Sequence, residues 1–133
     1  MPITVSIVED DRKTRESLVS LLRHASGVRL VGAHPSGEIA LVSIPAEQPE
    51  VVLMDINLPG MSGIKAMQIL RADTATAHIP VVALSANAIP RDIERGLQAG
   101  FFRYLTKPIK VGEFLETLDV ALEFSEKEAT QTR

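Results

Sequence analysis

The chain contains no cysteine, so neither a disulfide framework nor a thiolate metal centre can contribute to it. It has no basic excess either. Its 14 lysines and arginines against 17 aspartates and glutamates leave a net charge of −3, which argues against a direct nucleic-acid footprint. No apolar run approaches the roughly 20 residues that a membrane span requires. Nothing at the N-terminus reads as a secretory signal, because a strand pattern begins almost at once. A cytoplasmic location is expected on these grounds. Repeats and low-complexity segments are missing, and the glycines around Gly60 lack the Gly-Lys-Ser/Thr of a phosphate-binding loop. His24, His34 and His78 are too far apart for a metal motif and read as structural or surface residues. What remains is 133 residues, 45% of them apolar, enough for one domain with a real core.

Five strand–helix units follow one another. The strands are expected over Ile3 to Val8, Val28 to Ala33, Val51 to Met54, Ile79 to Leu84 and Phe101 to Leu105. Between them, a first helix over Arg12 to His24 buries Leu18, Leu21 and Leu22 and is ended by Gly27. Ser36 caps a short second helix that Pro45 stops. The loop from Leu58 to Gly63 carries two glycines free to take positive φ, and the third helix covers Ile64 to Ala72. Pro90 opens a fourth helix that Gly100 closes. A fifth, over Val111 to Phe124, buries Phe114, Leu115, Leu118 and Leu122 and leaves residues 125–133 as a polar tail. Such alternation implies right-handed crossovers and an α/β fold with a parallel sheet covered on both faces.

Four of the strands end in polar groups: Glu9-Asp10-Asp11, Asp55, Ser85 and Lys107-Pro108. In a parallel sheet the C-terminal ends share one edge, where ligands bind at the reversal of strand order. Carboxylates crowded there repel by roughly 4 kcal/mol for two charges about 4 Å apart at an effective dielectric near 20. An oxygen-seeking dication such as Mg²⁺ would relieve that repulsion. Asp55 stands alone after its strand and is the natural nucleophile for an acyl phosphate. Lys107 and the Ser85 hydroxyl would bind phosphoryl oxygens from two sides. Taken singly, Asp11 reads as a helix N-cap, Glu9 and Asp10 as a solvated strand end, Lys107 as surface and Tyr104 as strand packing. In order and at strand ends, the converging reading prevails.

With these motifs the chain resembles a response-regulator receiver domain of two-component signalling, from Ile3 to about Glu123. The resemblance implies a flavodoxin-like (βα)5 doubly wound sheet of five parallel strands in the order 2-1-3-4-5. It implies Asp55 as phosphoacceptor and Asp10, Asp55 and the Asn57 carbonyl as direct Mg²⁺ ligands, with Glu9 acting through water. Lys107, with Pro108 after a peptide bond usually cis in the family, completes the reacting group. Ser85 beside Ala86 is the switch hydroxyl and Tyr104 the switch aromatic. Such a domain takes its phosphoryl group from a histidine kinase or a histidine phosphotransfer protein and promotes its own phosphorylation and slow dephosphorylation. Its signal passes through the surface of the fourth helix, fifth strand and fifth helix, where a second copy is another expected partner.

The residues end soon after the fifth helix, leaving no room for an output module. That fits a stand-alone receiver, a receiver excised from a transcription factor, or the relay receiver of a hybrid kinase. The Val28 to Ala33 segment resembles receivers of helix-turn-helix regulators, whereas Ala88 to Lys110 resembles receivers of hybrid kinases. A mosaic joined between the third helix and the fourth strand, without a native partner, is expected from that contrast. A receiver-like interaction module that never accepts phosphate is the reading from another class. It usually lacks one of the acids or the lysine, and all are present here.

Overall fold

The computed structural model describes residues 2–86, 89–107 and 109–131; the side chains of residues 92, 111 and 124–131 lie outside that description. Five strands pair in parallel in the order β2-β1-β3-β4-β5. They are β1 (Ile3–Val8), β2 (Val28–His34), β3 (Val51–Asp55), β4 (Val81–Ser85) and β5 (Arg103–Thr106). The helices are α1 (Arg12–His24), α2 (Gly37–Glu47), α3 (Gly63–Ala72), α4 (Pro90–Ala99) and α5 (Val111–Gln131). No helix among the described residues is long and apolar enough to cross a membrane.

The two-residue period of a strand divides the core. Val5, Ile7, Val51, Leu53, Val82, Leu84 and Leu105 face Leu18 and Leu22 of α1 and Phe114 and Leu118 of α5. Val8, Val52, Met54, Val81 and Ala83 face the other way, onto Ala40 and Ile44 of α2 and Met67 and Leu70 of α3. Leu21, Leu115 and Leu122 are only half-buried.

Several element boundaries differ from the sequence expectation, each for a local reason. Proline does not stop α2: Pro45 lies inside it, and the helix runs on to Glu47. The damage is contained because the last turn is closed from outside. The Gln48 N–H donates to the Ile44 carbonyl (2.9 Å), and the Gln48 side chain donates to the carbonyls of Pro45 and Ala75 (both 3.0 Å). β4 begins at Val81, not Ile79, since Pro80 has no N–H to give the ladder. β5 begins at Arg103 because Phe101 closes α4, its N–H reaching the Gly96 carbonyl (3.2 Å) while Gly100 at φ 128° donates to Leu97. β2 gains His34, whose carbonyl accepts the Glu9 N–H (2.9 Å). α1 ends at His24 before Gly27, and α5 continues through Gln131, beyond Phe124.

A buried polar contact ties α2 to the sheet. Gly32 leaves a notch that the Glu47 carboxylate fills, so that a Cβ there would overlap it. One Glu47 oxygen accepts from the Ser6 hydroxyl at 2.8 Å and lies 3.0 Å from His34 Nε2. His34 is thus a structural residue.

Gly60 takes positive φ (74°) as expected, but Gly63 is required for another reason. It packs against the chain just after β3, and a Cβ there would lie 2.7 Å from the Ile56 Cα and overlap the Asp55 carbonyl oxygen. Both contacts are rigid backbone. Gly63→Ala should therefore destabilise the domain by about 1–3 kcal/mol. Gly112→Ala, in α5 where an added methyl meets nothing within 4 Å, should stabilise it by roughly 0.5–1 kcal/mol. Urea unfolding of the two variants checks the opposite signs.

Candidate functional site

Strand alternation builds the site. Glu9, Asp55 and Lys107 each lie two residues beyond a core residue of the α1–α5 face: Ile7, Leu53 and Leu105. The three side chains therefore leave the sheet edge in the same direction. Lys107 Nζ donates to Asp55 Oδ2 at 3.1 Å and makes a short bond to Glu9 Oε1. Glu9 is fully buried and Asp55 nearly so, while the Lys107 side chain keeps about a fifth of its exposure. Asp10 is exposed, yet oxygens of Glu9, Asp10 and Asp55 all lie within 4.8 Å of one another. Asp55 Oδ1 accepts the Asn57 N–H at 2.9 Å.

Ser85 is fully buried at the end of β4, and its carbonyl accepts the Lys107 N–H at 2.8 Å, so these two residues are locked together through the backbone. Tyr104 pairs with Ala83 across β4 and β5. Half-buried, its ring lies against Gly96 of α4, where an added Cβ would sit 3.2 Å from the ring edge. Asp11 caps α1, accepting from the Thr14 hydroxyl at 2.6 Å and from the Thr14 N–H at 2.9 Å, and these bonds hold its carboxyl below the usual range. Pro108, with the expected cis bond, lies outside the described residues.

Arg15 carried no functional signal in the sequence. Its guanidinium donates to the carbonyls of Glu9 (2.9 Å) and Asp10 (3.3 Å) from within α1. No motif marks it, because its targets are backbone atoms. Beside Lys107, an apolar groove of about 430 Å³ runs along α1, lined by Thr14, Ser17, Leu18, Leu21 and Ile109.

The charges in this pocket are unevenly matched. Burial pushes the Glu9 carboxyl up from 4.5 to about 7; nearby Asp55 adds to the rise, and the bonds from Lys107 and the Asp11 N–H only partly oppose it. For Lys107 burial acts downward, but the bonds to Glu9 and Asp55 outweigh it and hold the ammonium above its ordinary value. The oxygens of Glu9, Asp10 and Asp55, all within 4.8 Å of one another, form a hard donor set that fits a divalent cation such as Mg²⁺.

Against known proteins, the model of the response regulator receiver domain matches residues 5–119. The chain belongs to that family. It is 38% identical over 118 residues to the polar-differentiation response regulator DivK of Brucella anthropi, across 89% of this chain and 94% of that one. That alignment spans both halves, so it sets no boundary between α3 and β4. The receiver domain of the sensor histidine kinase PA1611 from Pseudomonas aeruginosa, solved with magnesium in its active-site cleft, superposes with a TM-score of 0.81. It is 31% identical, over 92% of this receiver and 99% of that one. A response regulator from Chloroflexus aurantiacus gives 0.84 at 30% identity over 92% and 99% of the two chains.

Because folding raises Glu9 above its unfolded value, the proton on Glu9 contributes stability below about pH 4.5, and this is lost as pH rises through about 7. In chelator, urea stability of the wild type should fall between about pH 5 and pH 8 relative to Glu9→Gln. With Mg²⁺ present the sign reverses: the metal-induced gain should grow with pH, since the ligand must shed its proton. Parallel pH profiles for wild type and Glu9→Gln would contradict this account.

Proposed function

We propose that this receiver accepts a phosphoryl group on Asp55 from a phosphohistidine and passes it on as a change of surface. The observation that carries the reading is the buried Asp55 carboxylate held 3.1 Å from the Lys107 ammonium, beside two further acids. An Asp55 oxygen attacks phosphorus, the P–N bond to the histidine breaks, and the imidazole nitrogen leaves with its electron pair. Asp55 becomes an aspartyl phosphate, which water later hydrolyses. Lys107 orients the carboxylate and would neutralise the arriving oxygens; most of the catalysis is such positioning and charge stabilisation. Glu9, Asp10, Asp55 and the Asn57 carbonyl would hold Mg²⁺, with Glu9 acting through water. Bound there, the ion would shield charge between the carboxylates and the phosphoryl group.

The donor is a histidine kinase or histidine phosphotransfer protein. The groove formed by Ser17, Leu18, Leu21 and Ile109 opens beside Lys107, and an apolar donor helix seated in it would bring its histidine to the pocket. The receiving surface for output is α4, β5 and α5, and a second copy docks on that same face. Intact mass after exposure to acetyl phosphate and Mg²⁺ tests the central step. One phosphoryl group should appear on the wild type and none on Asp55→Asn; an unmodified wild type would overturn the reading in favour of a module that never accepts phosphate.

In the phosphorylated domain, the new oxygens attract the Ser85 hydroxyl. The loop after β4 then moves toward the pocket, Tyr104 turns further inward, and the α4–β5–α5 face changes shape. This is a shift between existing states, limited by their difference in interaction energy. Ser85→Ala should still accept phosphate, yet beryllofluoride, a phosphoryl mimic, should produce amide shifts that stop short of Tyr104 and α4. In the wild type they should reach both.

A further inference from the structure

We propose that Arg15 is a positioning residue that sets the β1–α1 loop so that the carboxylates of Glu9 and Asp10 face the pocket. The inference rests on the phosphoacceptor reading and concerns a side chain that touches none of the reacting groups. Glu9 is fixed from several sides. Its N–H goes to the His34 carbonyl (2.9 Å), and its side chain meets Lys107 and the Asp11 N–H (3.2 Å). Asp10 is not fixed in this way. It is exposed, and among the described residues the only hydrogen bond that holds it is the one from Arg15 to its carbonyl. One nitrogen, Nη1, forks to both carbonyls, at 2.9 Å and 3.3 Å, and so ties the two consecutive peptides to the first turn of α1. That first turn is independently anchored by Asp11, which accepts from both the N–H and the hydroxyl of Thr14 (2.9 and 2.6 Å). A half-buried guanidinium thereby transmits the rigidity of the helix to the one acid that lacks other support.

The alternative is that Arg15 acts only through its charge, and the two accounts predict opposite signs. A guanidinium near an acidic pocket repels a dication, so removing a mere charge would tighten Mg²⁺ binding. Removing a positioning contact would weaken it, by about tenfold as for groups that orient metal ligands. Arg15→Gln tests this, with Arg12→Gln as control: Arg12 makes the same charge change from the same helix, but pairs only with Glu16 at the exposed surface. Arg15→Lys is the second variant, keeping the charge on a stem one atom shorter.

Two readouts are measured by NMR on each protein: Mg²⁺ affinity from amide shifts, and amide hydrogen exchange at Asp11 in chelator. The expected result is weaker Mg²⁺ binding and faster Asp11 exchange in both Arg15 variants, with Arg12→Gln like the wild type. Unchanged or tighter Mg²⁺ binding in Arg15→Gln, or full recovery in Arg15→Lys, would overturn the proposal. A wild type that ignores Mg²⁺ would instead sink the proposed function, and the exchange data alone would then decide on Arg15: acceleration supports the positioning role and an unchanged rate refutes it.

Discussion

The Lys107 ammonium lies between the carboxylates of Glu9 and Asp55, and three strands that are far apart in sequence must be correctly registered for it to do so. The contact is expensive to build, because each of these groups gives up water. Removing the lysine would leave Glu9 and Asp55 facing each other with no cation. The rest of the edge therefore serves to hold three charges in place: Gly63 lets α3 approach the chain just beyond Asp55, the Ser85 carbonyl holds the Lys107 N–H, and His34 holds that of Glu9.

The same arrangement explains why the pocket is electrostatically incomplete. One ammonium cannot satisfy three acids, and burial leaves Glu9 inclined to keep its proton near neutral pH. A site of this kind gains from any additional positive charge. That appetite for a cation is a property of the charge balance, not of any single residue.

The order of elements was legible in the sequence because apolar runs of strand length are bounded by helix caps, and the phase of Ile7, Leu53 and Leu105 already points Glu9, Asp55 and Lys107 the same way. Less legible were features decided by contacts distant in sequence. Pro45 looks like a helix stop until Ala75 supplies an acceptor for the Gln48 side chain. Gly63 looks like a turn glycine until the third strand is placed beneath it. Glu47 looks like a solvated helix end until Ser6, Gly32 and His34 are seen to form its receptacle. Arg15 is the clearest case, since a side chain that binds carbonyls leaves no trace in the identity of its partners.

Among its described residues, α4 is lightly anchored, and it lies where the proposed signal would emerge. Among the described side chains of α4 only Gly96 is buried, and no side chain caps the helix at Ile89. Ile89 and Leu97 are about half-exposed apolar residues, 51% and 43%, that the helix does not bury. Gly96 meets the sheet at the Tyr104 ring, where any larger residue would push the ring away. Segments with few buried apolar contacts open at the lowest cost. Tyr104 packs both on the α2–α3 core and against Gly96, so in the proposed function a change of its rotamer carries the signal from the sheet to α4.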